Sequence, residues 1–126
     1  MRFLSKQNLH DILLGCAVLG TGGGGSLEDG LRLIDKDLDS GLEFRLARLD
    51  EIRDDVLIAS PYQAGSISPL TEEELSKYAD LPVIDEIPSL VAFKALADFM
   101  GEQFYATVAT ELGGHNTAVA LSVAAK

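Results

Sequence analysis

The sequence is poor in residues that form cross-links or metal centres. It contains a single cysteine, Cys16, which lies in an apolar run, and only two histidines, His10 and His115. One cysteine excludes an intrachain disulfide and favours a reducing compartment, which predicts a cytoplasmic protein. We interpret Cys16 as a small buried hydrophobe. Two histidines are too few for a histidine-rich metal site.

Positive charge is also scarce. Ten lysines and arginines face twenty acidic residues, giving a formal net charge of -10. Because these scattered basic residues cannot match a polyanion, neither nucleic acid nor an anionic membrane surface is an expected partner. The apolar stretch 12–19 is too short to span a bilayer, and the first residues lack the cleavage site of a signal peptide.

Several catalytic signatures are missing. The glycines at 20–25 are not followed by the Lys-Ser/Thr pair of a P-loop, and the chain has no G-x-S-x-G, C-x-x-C or H-E-x-x-H motif. In contrast, 126 residues with 47% hydrophobic and 24% charged side chains are typical of a globular domain. We therefore expect one folded domain over residues 1–126, whose function does not depend on those motifs.

Periodicity, capping signals and β-branched runs predict an α/β fold with a mostly parallel sheet. The predicted helices cover residues 9–19, 27–40, 72–79, 88–100 and 117–125. The predicted strands cover residues 43–49, 56–60 and 103–112, of which the last two are buried on both faces. The segment 62–69 is interpreted as a loop at a strand end. The rival interpretation of residues 12–19 is a buried parallel strand.

A glycine-rich loop follows the first predicted helix. The run reads Gly20, Thr21, Gly22, Gly23, Gly24 and Gly25, and Ser26 follows it. Glycine loses the most backbone entropy on folding, so five glycines in six residues are not explained by stability. A backbone without side chains can approach a ligand closely. The amides of Gly24, Gly25 and Ser26 would point outward from the N-terminus of the helix that follows. We expect a cradle for a small polar or anionic ligand; the alternative is a tight connection where helix and sheet pack closely.

The same glycines allow a nucleotide-binding interpretation. Gly20, Gly22 and Gly25 satisfy the dinucleotide pattern G-x-G-x-x-G, with Asp39 or Glu43 as the ribose-binding acid. That pattern is meaningful only if residues 12–19 form a strand.

A second motif lies near the end of the chain. It reads Glu111, Leu112, Gly113, Gly114, His115 and Asn116. Glu111 is predicted at the carboxyl end of a buried strand, where open α/β sheets bind ligands. A carboxylate in a dry position must be hydrogen-bonded, metal-bound or used as an acid or base, so Glu111 is our candidate catalytic residue. The alternative is a structural carboxylate that accepts bonds from loop amides; Asn116 is first a helix cap.

Together the two motifs, in this order and separation, resemble the DUF917 proteins, also called the S-methyl-thiohydantoin desulfurase-like family and associated with hydantoinases and oxoprolinases. The resemblance implies a three-layer α/β/α domain. Family members are longer, so the chain is expected to be the N-terminal portion, ending before an aspartate-rich segment. A truncated sheet would leave an edge uncovered, which predicts a homo-oligomer or a partner chain that supplies the missing half.

The resemblance also implies a function. It predicts a hydrolase or desulfurase-type domain acting on a hydantoin-like or cyclic amide metabolite, with Glu111 as proton acceptor or metal ligand; no cofactor is specified. The implied ligand-binding residues are Gly20, Thr21, Gly22, Gly23, Gly24, Gly25, Ser26, Gly113, Gly114, His115 and Asn116. The competing function is a non-catalytic module that binds a nucleotide or phosphate metabolite.

Overall fold

A computed structural model describes residues 1–65, 70–82 and 86–126 of the chain. The described residues form a mixed α/β structure, as predicted. The strands are β1 (Arg2–Phe3), β2 (Arg45–Leu46), β3 (Ile58–Ala59) and β4 (Ala106–Thr107). The helices are α1 (Lys6–Gly20), α2 (Leu27–Asp39), α3 (Glu72–Ser76), α4 (Pro88–Met100) and α5 (Gly114–Ala125), with a 3-10 turn at Leu49–Glu51.

The main core lies between α1, α2 and α5. Leu9 and Leu13 of α1, Ile34 of α2 and Ala118 of α5 are fully buried there. Helices α1 and α2 each bury one apolar face and expose the other, whereas most residues of α5 are buried. The remainder of α5 packs on α4 through Val119, and α5 is therefore the central element of the described structure.

Most helix boundaries follow the signals seen in the sequence. Ser26 accepts a bond from the Asp29 amide at the start of α2, and Thr71 and Glu74 form a reciprocal capping box at the start of α3. Helix α4 begins at Pro88 and ends at Gly101, whose φ of 66° is the left-handed conformation expected of a terminal glycine. Helix α3 ends at Ser76, three residues earlier than predicted.

The segment before the glycine loop is helical, so the rival strand over residues 12–19 is wrong. Helix α1 continues through that segment to Gly20, and Thr21 follows in the left-handed conformation with φ 49°. The strand that a dinucleotide-binding fingerprint requires is therefore not present before Gly20.

The strands are much shorter than predicted. Strands β3 and β4 form a parallel pair in which Ile58 faces Ala106, and β2 pairs antiparallel with β1, a strand that the sequence analysis missed. The prediction that the later two strands are buried on both faces is wrong in the described residues, since Ile58 is 43% exposed and β4 is only half-buried. The apolar composition of these segments favours an extended backbone. Each strand has only one neighbouring strand in the described residues, so few backbone hydrogen bonds hold it and the regular strand is short.

Two predictions at the second motif also need correction. Helix α5 begins at Gly114 after an N-cap at Gly113, so Asn116 lies inside the first turn and is not the cap. Strand β4 ends at Thr107, and Glu111 is exposed four residues later, not in a dry position at a strand end. The buried groups of this turn are the side chains of Asn116 and Thr117. Of the predicted loop 62–69, residues 66–69 lie outside the described residues.

Among the helices of the described residues, none combines the length and apolar character needed to cross a bilayer.

Candidate functional site

The two glycine motifs pack directly against each other. A Cβ atom added to Gly24 would lie 2.5 Å from the Cα of Gly113, and one added to Gly113 would lie 2.3 Å from the Cα of Gly24. Real Cβ atoms do not approach heavy atoms so closely, so neither position accepts a side chain without backbone movement. The fold therefore brings the two motifs to one place.

The first turn of α5 is capped by the backbone of the glycine loop. The carbonyl oxygen of Gly24 accepts from the amide of His115 at 3.1 Å and from that of Asn116 at 2.9 Å. The amide of Thr117 donates to the Gly113 carbonyl at 3.2 Å. The amides of His115 and Asn116, which could otherwise bind an anion at this helix start, are therefore occupied by protein.

The remaining glycines divide into packed and open positions. A Cβ on Gly20 would meet the Leu112 carbonyl oxygen at 2.5 Å, and one on Gly25 would meet the Cβ of His115 at 2.7 Å. In contrast, a Cβ on Gly22 would have no neighbour within 4 Å, and one on Gly23 would have only the Gly20 carbonyl at 3.3 Å. Close packing thus accounts for three of the five glycines, and Gly22 and Gly23 form the open tip of the loop.

The start of α2 carries negative charge. Ser26 uses its hydroxyl oxygen as a cap, accepting from the Asp29 amide at 3.3 Å. Glu28 and Asp29 both lie in the first turn, and Arg32 one turn later bonds to them at 2.9 and 3.1 Å. These carboxylates disfavour an additional anion at this helix start.

The start of α2 also packs against the second glycine motif. A Cβ on Gly114 would lie 2.4 Å from the Cα of Leu27, so Gly114 allows this close approach.

A third loop joins the site through Gln63, which the sequence analysis did not identify. The Asn116 side chain accepts from the backbone amide of Gln63 at 2.9 Å and donates to the backbone carbonyl of Gln63 at 3.1 Å. The same Asn116 amide donates to the carboxylate of Glu111. The only sequence signal for this contact was the irregular loop predicted at 62–69. Asn116 therefore holds the Gln63 loop and Glu111 together.

His115 makes one polar side-chain contact and leaves one ring nitrogen unpaired. Its Nε2 lies 3.0 Å from the Oε1 of Gln63. Its Nδ1 is buried and has no hydrogen-bond partner within the described part of the chain, and the same is true of the Thr117 hydroxyl. Two buried polar atoms without partners in one helical turn are unusual, because most such atoms in folded proteins are paired.

Two concave regions of the described structure lie away from the glycine motifs. A groove of about 360 Å³ runs between α4, β4 and the end of α5, and a smaller one of about 170 Å³ lies beside Met1 and Arg2. The glycine motifs line neither of them. Within residues 1–65, 70–82 and 86–126, no group of three or more His, Cys, Asp or Glu side chains could hold a metal ion.

The fold and the junction define a mixed α/β protein in which two glycine motifs close on each other at the start of a central helix. Comparison with known families finds the S-Me-THD-like N-terminal domain over residues 7–126. The chain belongs to this family, which confirms the resemblance drawn from the two motifs. Neither a curated protein nor a solved structure matches the chain.

Proposed function

We propose that this chain is the ligand-binding part of a hydrolase or desulfurase-type enzyme that acts on a hydantoin-like or other cyclic amide metabolite. The observation that carries the proposal is the meeting of the two glycine motifs and the Gln63 loop around Glu111, His115 and Asn116. This junction places the His115 imidazole, the Asn116 side-chain amide and the Glu111 carboxylate close together at the start of α5. Family membership supports the substrate class.

Charge favours a neutral ligand over the competing nucleotide or phosphate metabolite. The amides at the start of α5 are bonded to Gly24, and the start of α2 carries Glu28 and Asp29. The whole chain has a formal charge of -10. Without an open helix start or a surplus of basic side chains, a phosphate group would meet net repulsion here.

We assign ligand-binding roles to backbone amides that have no hydrogen-bond acceptor within the described residues. Within the described residues, the amides of Gly22, Gly24 and Gly25 have no acceptor, so they can donate to ligand carbonyl oxygens. Glu111 is exposed and is the proposed proton acceptor. The amide of Asn116 is already shared between Gln63 and Glu111, so we assign it the role of orienting the carboxylate.

We further propose that the parallel pair β3 and β4 belongs to the larger sheet of a three-layer α/β/α arrangement. Parallel sheets occur almost only with both faces covered, whereas Ile58 and Val108 beside this pair are 43% and 49% exposed. The covering strands and helices would come from additional chain or from another subunit, and the complete enzyme would include them.

Ligand binding at the loop tip is tested by titrating the protein with hydantoin in a calorimeter and comparing Gly23→Val with the parent. Gly23 lacks the positive φ of Gly22, Gly24 and Gly25, and an added Cβ would meet only the Gly20 carbonyl oxygen at 3.3 Å, so this variant should fold after a small local shift. We expect at least about a tenfold loss of affinity, equal to 1.4 kcal/mol, because the added side chain blocks close approach to the backbone. Gly15→Ala, on the exposed face of α1, is the matched control.

Catalysis by Glu111 is tested with Glu111→Gln, which keeps the side-chain shape but removes the proton acceptor. We expect hydantoin hydrolysis to disappear from the complete enzyme while hydantoin binding remains. If both variants bind and turn over hydantoin like the parent, the proposed function is wrong. Selective stabilisation by inorganic phosphate or a nucleotide in the same titrations would favour the competing module.

A further inference from the structure

His115 is contacted by two separate loops. Its backbone amide donates to the Gly24 carbonyl, and its Cβ lies so close to Gly25 that a side chain there would be only 2.7 Å away. Its ring is held by Gln63, whose Oε1 lies 3.0 Å from Nε2. The glycine loop therefore positions the backbone and Cβ of His115, and Gln63 orients the imidazole.

The contact with Gln63 favours one tautomer of the ring. The oxygen of the Gln63 side-chain amide faces Nε2, and because an amide oxygen can only accept, this orientation makes Nε2 the donor. Neutral imidazole has one N–H, and its other nitrogen is then an acceptor with a free lone pair. In this tautomer Nδ1 of His115 is the acceptor.

No donor within the described residues reaches that acceptor. Nδ1 is buried and unpaired. The neighbouring Asn116 already donates both amide hydrogens, one to the Gln63 carbonyl and one to the Glu111 carboxylate, which is the acceptor in that contact. An unpaired buried acceptor is unfavourable, and a bound donor would remove that cost.

We infer that Nδ1 of His115 accepts a ring N–H of the bound cyclic amide, and that Gln63 is the positioning residue that fixes the tautomer. This inference rests on the proposed function and names the ligand group that the site recognises. Nδ1 is buried, so the ligand gains access to it only when the neighbouring loop is displaced. Gly22 of that loop has open space beside it.

The tautomer is measured by nitrogen NMR on the full chain labelled at histidine. The protein has only two histidines, so His10→Gln leaves the His115 ring as the single signal. We expect Nε2 protonated and Nδ1 unprotonated in the neutral ring. An Nδ1–H tautomer overturns the inference, and this measurement needs no ligand.

Variants at residue 63 test the positioning role. Gln63→Leu removes the acceptor, so the two tautomers of His115 should become mixed, whereas Gln63→Glu keeps an oxygen and should retain the Nε2–H form. Gln103→Leu, at an exposed residue outside the site, is the control and should not change the spectrum. A purely structural role for Gln63 would leave the tautomer unchanged in all three variants and would overturn the inference.

The ligand assignment is tested by comparing the binding affinities of hydantoin and N,N′-dimethylhydantoin. The dimethyl compound keeps both carbonyl groups but lacks a ring N–H. We expect the dimethyl compound to bind at least about tenfold more weakly, a difference of 1.4 kcal/mol. Equal binding overturns the inference and leaves the proposed function standing. Failure of hydantoin itself to bind overturns the proposed function and, with it, this ligand assignment.

Discussion

At the scale of single residues, the neighbours of a Cα atom decide what each glycine does. Gly15 and Gly30 both lie inside helices, yet a Cβ on Gly15 meets nothing within 4 Å, whereas one on Gly30 would lie 2.0 Å from the Gly114 carbonyl oxygen. Gly30 thus sets the close approach of α2 to α5, which positions the second glycine motif. Gly15 has no such role and only lowers the stability of α1.

These two glycines make a matched pair of substitutions. Gly15→Ala should raise the free energy of unfolding by about 0.5–1 kcal/mol, because alanine is the better helix former. Gly30→Ala should lower it by about 1–3 kcal/mol, because the new methyl group forces α2 away from α5. Denaturant unfolding of both variants checks the prediction. Equal effects of the two substitutions would contradict the packing role of Gly30.

At the scale of elements, polar clamps join the three core helices. Asp37 of α2 is 3% exposed and accepts from Ser122 of α5 and from Lys126, whose Nζ also lies 2.7 Å from the Ser122 hydroxyl. A buried carboxylate needs such partners to remain charged. On the other side of α2, Asp35 bonds to Lys6 and His10 of α1.

The clamp between α2 and α5 predicts a stability effect. Lys126→Ala leaves the buried Asp37 without its cation and should lower the free energy of unfolding by about 1–3 kcal/mol. Lys36→Ala, at an exposed lysine of α2, the helix that carries Asp37, is the control and should change the free energy of unfolding by less than about 0.5 kcal/mol. Thermal unfolding of both variants provides the measurement, and equal effects would argue against the clamp.

The clamp between α1 and α2 predicts a pH effect. Hydrogen bonds from His10 and then Lys6 hold the pKa of Asp35 below its usual 3.8. Its stabilising contribution is therefore present above that unfolded-state value and is lost as pH falls through the lower folded-state value. Asp35→Asn should destabilise the protein at about pH 5, and the difference from the parent should disappear at about pH 2.

Urea unfolding at both pH values checks the prediction. Asp39→Asn is the control, since Asp39 is exposed on the same helix and makes no ion pair within the described residues. A destabilisation by Asp35→Asn that is the same at both pH values would contradict the assigned contact.

At the scale of the whole molecule, large apolar side chains remain at the surface of the described residues. Phe99 of α4 is 89% exposed, and Val18 and Leu19 near the end of α1 are each 69% exposed. The parallel pair β3 and β4 also has one neighbour per strand. Exposed large apolar side chains and open strand edges favour association.

We therefore predict that the purified chain self-associates in a concentration-dependent manner. Phe99→Glu should lower the apparent mass in light scattering, because it places a charge where an apolar contact would form. Glu102→Gln, at an exposed residue nearby in the sequence, is the control. A monomer across the whole concentration range in the parent protein would contradict the prediction.

Local chemistry determined much of the helical structure. Ser26, Thr71, Pro88 and Gly101 mark helix ends through bonds and dihedral preferences that involve only neighbouring residues, so the sequence alone predicted them. The order and spacing of the two glycine motifs likewise sufficed to predict the family. Apolar runs were less informative: 12–19 fitted a helix or a strand, and 103–112 yielded only the short β4.

The tertiary structure alone decided how the site is built. Whether a glycine serves packing or leaves room for a ligand depends on what lies across from it, as Gly24 beside Gly113 and the open Gly22 illustrate. The contacts of Gln63 with His115 and Asn116 join residues more than fifty positions apart, and no local pattern encodes them. Helix ends follow from neighbouring residues, whereas a site assembled from three loops depends on how the helices pack.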